Sequence, residues 1–153
     1  MTLVLEGDTA ARVRAHLVGA YPEEGCGVLL GRDADGTRRV VDLVALDNRS
    51  PETRERRFTI APEQFLAAEK HARARGLDVV GVFHSHPDHP AAPSAFDLEH
   101  AWPYYSYLIV SVRGGAVDGA TSWRLAEDRS RFQSEPLELA PALAREPSGE
   151  SRA

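Results

Sequence analysis

Apolar and polar positions along the chain change period several times, and each change predicts an element. Asp8 and Thr9 are capping residues ahead of a stretch in which Ala11, Val13, Ala15, Leu17 and Val18 can share one face, closed by Gly19 and Pro22; this predicts a helix over about 9–20. Cys26-Gly-Val-Leu-Leu-Gly31 is short, apolar and bounded by glycines, and Arg38 to Leu46 carries Val40, Val41, Leu43, Val44 and Leu46. Two strands are predicted there, with Asp33-Ala-Asp-Gly36 turning between them. Asp47 to Arg57 is polar, rich in arginine and interrupted by Pro51, so it reads as an exposed loop able to touch a partner. Phe58-Thr-Ile60 predicts a short strand, and Pro62 opens a helix over about 62–75 that presents Phe65, Leu66, Ala68 and Ala72 and stops at Gly76. Leu77 to Phe83 is an uninterrupted apolar run of strand length, predicted to be buried on both faces and to carry His84-Ser-His86 at its C-terminal end. A proline-rich loop from Pro87 to Pro93 leads into Ser94-Ala-Phe-Asp97, which has helix-start spacing for a short helix to about 101. Strands over 105–112 and 119–126 follow, with Arg113-Gly-Gly115 near the turn and a further strand around 130–135. From Glu135 onwards proline, serine and charge dominate, which predicts a folded domain over 1–134 and a flexible tail over 135–153. Helices and strands alternating around a buried central strand predict one three-layer α/β domain, a mixed sheet flanked by helices.

Composition narrows the function classes. At 153 residues and 42% hydrophobic content the chain can bury a core of its own. The 18 basic and 23 acidic residues give a net charge of -5 without a block of either sign, so no nucleic-acid partner is expected. One cysteine cannot form an internal disulfide, and the N-terminus lacks the layout of a secretory signal, so the cytoplasm is the expected compartment. The longest apolar run, around Tyr107 to Val112, is strand-sized and far below the roughly 18 residues that cross a bilayer, so no membrane partner is expected. The sequence leaves open whether the chain pairs as a homodimer.

Candidate chemistry concentrates around one strand end. Residues two apart on a strand point the same way, so His84 and His86 can aim both imidazoles at one ion. A catalytic zinc site takes three protein ligands, and Asp97 is the leading third donor, brought back by the stiff proline loop; His89 and His100 remain alternatives. Each feature also has a purely structural explanation. A His-x-His pair can be a solvated strand edge, Ser94 and Asp97 can be a helix cap with its reciprocal acid, and Glu23 and Glu24 can be surface charges after a helix. Cys26 suits a small core residue better than a nucleophile.

Taken together, His84-Ser-His86-Pro87, six residues, Ser94, two residues and Asp97, with Glu24 far upstream, resembles the complete signature of the JAMM (JAB1/MPN/Mov34) metalloprotease family. Tyr21-Pro-Glu-Glu-Gly-Cys-Gly-Val-Leu-Leu-Gly31 is similar to the first motif of its compact prokaryotic members, and the resemblance spans about residues 8–126. It implies a cytidine-deaminase-like JAB/MPN fold and a Zn2+ ion held by His84, His86 and Asp97. It further implies that Glu24 activates water as general base, with Glu23 as fallback, and that Ser94 stabilises the oxyanion. The implied substrate is a ubiquitin-like or sulfur-carrier protein cut after a C-terminal Gly-Gly, as a linear peptide or an isopeptide. The chain lacks room for the long insertions with which eukaryotic relatives grip ubiquitin chains. Two other classes compete: a non-catalytic scaffold of the same fold, which has no use for every motif residue, and a small-molecule zinc deaminase, whose Cys-x-x-Cys ligands a lone Cys26 cannot supply.

Overall fold

Glycines and short polar turns cut the apolar runs into strands, which the computed structural model, describing residues 1–140, joins into one sheet. In chain order the elements are β1 (Thr2–Glu6), α1 (Thr9–Ala20), β2 (Cys26–Ala34), β3 (Thr37–Leu46), α2 (Pro62–Ala74), β4 (Asp78–Pro87), α3 (Ala95–His100), β5 (Ser106–Arg113), β6 (Ala116–Leu125), β7 (Phe132–Glu135) and β8 (Leu137–Ala140). The sheet runs β7-β6-β5-β4-β2-β3-β1-β8. β1 is parallel to β3 and β8, β4 is parallel to β5, and the remaining pairs are antiparallel. Two tight hairpins set the register. Asp35 and Gly36, both at positive φ, turn β2 into β3, and Gly114 and Gly115 turn β5 into β6.

Each face of the sheet carries its own core. On one, Val13 and Leu17 of α1 pack onto Leu3, Leu5, Val80, Phe83 and Leu108; on the other, Ala68 and Ala72 of α2 pack onto Val28, Leu30, Val82 and Tyr107. Fully burying a side chain such as Leu17 or Phe83 contributes about 1.5–3 kcal/mol each. β4, flanked by β2 and β5, is buried along nearly its whole length, as its apolar run predicts.

Four expectations need correction. α1 turns Ala11 and Ala15 to solvent, because Thr9, Val13 and Leu17 alone form its buried stripe. Phe58-Thr-Ile60 pairs with no strand among the described residues; Thr59 O accepts from Arg49 N and Thr59 N donates to Asn48 Oδ1. β1 was not predicted, although Leu3, Val4 and Leu5 are all buried. The expected tail does not begin at Glu135. Glu135 is buried against Ser122 and Arg124, and Leu137–Ala140 adds to β1 as a parallel edge strand, so the ordered domain reaches Ala140. The rest of that predicted tail, 141–153, lies outside the described residues. Among the described residues no helix is long and apolar enough to cross a membrane.

Candidate metal centre

β4 continues through Pro87, so His84 and His86 lie within the strand, and its pleat turns both rings to one side. Ser94 caps α3 by accepting a hydrogen bond from Asp97 N (3.0 Å), while Ser94 N donates to Asp97 Oδ2 (2.9 Å). This reciprocal cap fixes the Asp97 side chain at the helix start, facing the histidines. His84 Nε2 lies 3.2 Å from His86 Nε2, and the two lie 3.4 and 3.1 Å from Asp97 Oδ2. All three side chains are almost wholly buried.

The triangle has the dimensions of a metal site. Zinc–donor bonds of 2.0–2.1 Å in a tetrahedron place neighbouring donors about 3.3 Å apart, and the three observed separations bracket that value. His86 Nδ1 donates to the Pro90 carbonyl oxygen (2.9 Å), which leaves the Nε2 lone pair aimed into the triangle, as a metal-ligating histidine requires. His84 Nδ1 is buried without a partner among the described residues, and its ring is held by stacking on Phe58 at 4.4 Å. Burial lowers the His84 pKa and keeps that ring neutral against the pull of Asp97. For His86 burial is the largest influence and also lowers, but the bonds to Asp97 and Pro90 outweigh it and raise the pKa. Burial would raise the pKa of Asp97, yet the neighbouring histidines and the Ser94 N–H hold the carboxyl well below the usual range. A bound metal ion would take the place of the proton these bonds favour on His86, and two imidazole nitrogens beside an ionised carboxylate make a donor set suited to a divalent metal.

Glu24, in the connection between α1 and β2, is buried beside this triangle, and its Oε1 has no hydrogen-bond partner among the described residues. Burial pushes its pKa up to about 8, with the His86 charge opposing and Asp97 reinforcing. Its position comes from the backbone. Glu24 N donates to Arg54 O (2.7 Å), Asn48 Nδ2 donates to Glu24 O (3.0 Å), and Gly25 N donates to Ser85 Oγ (2.8 Å). Glu23 is half-buried and outside the triangle. His89 is exposed on the proline loop, and His100 stacks on Phe96 at 4.0 Å, so neither alternative ligand reaches the centre.

Asn48, Phe58, Ser85 and Pro90 were not singled out as supports for this centre. For Ser85 the signal was its position between the two histidines; the others lie far from the ligands in sequence or act through a backbone oxygen. A groove of about 860 Å³ opens beside His84 and Asp97, lined among others by Phe58, Ile60, Phe65, Phe96 and Trp102.

The family described as prokaryotic homologs of the JAB domain matches residues 7–126. A desampylase from Haloferax volcanii is 38% identical over 105 residues, covering 68% of this chain and 73% of that protein. A probable TtuB-protein conjugate cleaving protease from Thermus thermophilus is 34% identical over 101 residues, covering 66% of this chain and 64% of that protein. The solution structure of a protein from Desulfitobacterium hafniense superposes with a TM-score of 0.81 at 32% identity, covering 94% of this chain and 97% of that one.

Proposed function

The chain belongs to the family of prokaryotic homologs of the JAB domain, and from that premise we propose that it is a zinc-dependent hydrolase that cuts a peptide or isopeptide bond after the C-terminal Gly-Gly of a ubiquitin-like or sulfur-carrier protein. The observation that carries this reading is the buried triangle of His84, His86 and Asp97 donor atoms, 3.1–3.4 Å on an edge, with the unpartnered Glu24 carboxyl beside it. The relatives' names agree with it: one is a desampylase and another a probable TtuB-protein conjugate cleaving protease.

His84 Nε2, His86 Nε2 and Asp97 Oδ2 would hold the ion. When bound, zinc supplies Lewis acidity, polarising a carbonyl and acidifying water. Glu24 does the proton work. Its carboxylate, buried beside the three donor groups, takes a proton from the attacking water, and the resulting carboxyl returns it to the departing amine. Ser94 Oγ spends an acceptor site on Asp97 N, which leaves its O–H free to donate to the oxygen that gains charge. No covalent acyl-enzyme is needed, so Cys26, buried with its thiol pKa pushed up to about 12 by desolvation, has no nucleophilic part.

The substrate tail lies in the groove beside His84 in extended form. Thr59 turns its backbone groups towards Asn48 and Arg49, and the backbone groups of Phe58 and Ile60 make no hydrogen bond among the described residues. Those free groups supply the edge that an extended diglycine tail can pair with, since β4 itself is interior to the sheet. Crosslinks mapping the tail away from His86 and Ser94 would count against this placement.

The test couples metal content to cleavage. Wild type and His86→Ala are assayed for bound zinc, then incubated with diglycine-tailed carrier fusions and weighed by mass spectrometry. Wild type should hold zinc and release a carrier ending in Gly-Gly; His86→Ala should do neither. A wild type that retains zinc yet leaves every fusion intact would replace the hydrolase by a binding module.

A further inference from the structure

Among the described residues the Glu24 carboxyl makes no hydrogen bond through Oε1, so its place beside the ligands is set by the backbone that carries it. Of the anchors on that backbone, Arg54 O and Asn48 belong to the loop over 47–57, whose residues 51–57 are exposed. The link at Gly25 comes from the ligand strand, one residue ahead of the Cys26–His84 pair that begins the β2–β4 ladder. Gly25 N donates to Ser85 Oγ (2.8 Å) and Ser85 N donates back to Gly25 O (3.1 Å), a two-point clamp with Ser85 wholly buried. The other side of Gly25 is closed as well: a Cβ there would stand 2.8 Å from Leu17 Cδ2 and 3.0 Å from Ala20 Cβ. Gly25 is therefore wedged between α1 and β4, at the residue next to the acid.

We propose that Ser85 is a positioning residue, whose hydroxyl, set between the two histidine ligands, registers the Glu24 segment onto the strand that carries them. The proposal rests on Glu24 being the general base. It gives the middle residue of His84-Ser-His86 a task different from metal binding: strand alternation turns its side chain away from the ion, and it acts on the chemistry through the neighbouring chain. Losing the hydroxyl leaves the buried Gly25 N–H unpaired and lets the acid drift relative to the ligands, and displacements of about 1 Å in such a site cost on the order of 100-fold in rate.

The experiment compares wild type, Ser85→Ala, Ser85→Thr and, as a control for a buried serine hydroxyl far from the site, Ser106→Ala. In zinc-loaded protein Ser85→Ala should lower kcat about 10- to 100-fold, with KM and bound zinc unchanged. Ser85→Thr, which keeps the Oγ, should restore most of that loss, and Ser106→Ala should keep wild-type kcat. In the Glu24→Gln background, read by single turnover, Ser85→Ala should add no further loss, because the group it positions is gone. This comparison decides the matter if the threonine variant does not fold. A second readout needs no activity: amide hydrogen exchange at Gly25 should be slow in wild type and accelerated in Ser85→Ala. Wild-type kcat in Ser85→Ala, an undiminished loss in the Glu24→Gln background, or unchanged exchange at Gly25 would each overturn the proposal. A wild type that cleaves no diglycine fusion would instead overturn the functional reading, while the exchange experiment would still judge the clamp.

Discussion

Glu24 in the metal-free protein is an acid that burial raises to about 8, above the value near 4.3 of an unfolded glutamate. Between those two values the folded chain holds a proton that the unfolded chain has lost, so its contribution to stability declines as pH rises from about 4.5 to about 8. Urea denaturation of the metal-free protein at pH 5 and pH 8 should show this decline, on the order of a few kcal/mol, and Glu24→Gln should remove it. An equal gap in both proteins would mean that the carboxyl is not buried as described. Loaded with zinc, Glu24→Gln should lose about 10²–10⁴ in kcat, the usual worth of a general base, without losing metal. Ser94 has two tasks that different substitutions separate. Ser94→Ala removes the cap on α3 and should cost about 1 kcal/mol, whereas glycine at a cap costs only a few tenths. If the hydroxyl also stabilises the oxyanion, both variants should lose about 10²–10³ in kcat whatever their thermal midpoints. Wild-type kcat in Ser94→Gly would leave the serine a capping residue only.

At the scale of elements, the close fit of β2 beneath Phe83 is the most exposed to test. A Cβ at Gly27 would meet Phe83 Cζ at 2.4 Å and Val44 O at 2.5 Å, so neither neighbour has room to yield. Gly27→Ala should destabilise by about 1–3 kcal/mol, the usual range for overpacking, and should displace the neighbouring Cys26, which pairs with His84. Thermal melts with zinc titration would show both effects. β8 offers the complementary case. A chain ending at Pro136 exposes the β1 edge and the Leu137 packing site, and should melt below a chain ending at Ala140. Equal midpoints would mean that the edge strand adds nothing. The helix starts and stops were readable because they depend on local chemistry: Pro62, Ser94 and Gly76 act where they stand. Phe58-Thr-Ile60 and Leu137–Ala140 misled in opposite directions. Each is too short to carry a period, and a strand exists only where another strand receives its hydrogen bonds.

Across the whole molecule the centre draws on two sequence-distant regions: the connection after α1 carries Glu24, and β4 with the start of α3 carries the three candidate donor groups. Binding an ion to the folded state alone should therefore stabilise the entire domain, by about 2.7 kcal/mol at a free concentration 100 times Kd. Scanning calorimetry with chelator and then with added zinc should show the midpoint fall and recover in wild type and stay fixed in His86→Ala. A wild-type midpoint indifferent to zinc would remove the metal centre from the account.

Sequence by itself determined where the long helices and the central strand lie, the pairing of His84 with His86 on one side of a strand, and the capping geometry at Ser94 and Asp97. Those depend on spacings of a few residues, which backbone geometry converts directly into direction. The resemblance preferred Glu24 to Glu23, but tertiary structure alone decided that Glu24 is buried with an unpartnered Oε1 among the described residues, that Ser85 clamps Gly25, and that Pro90 O sets the His86 tautomer. It also decided that Leu137–Ala140 pairs with β1. Each of these depends on segments that meet only when the sheet assembles, where desolvation and unpaired backbone groups, rather than local preference, select the arrangement.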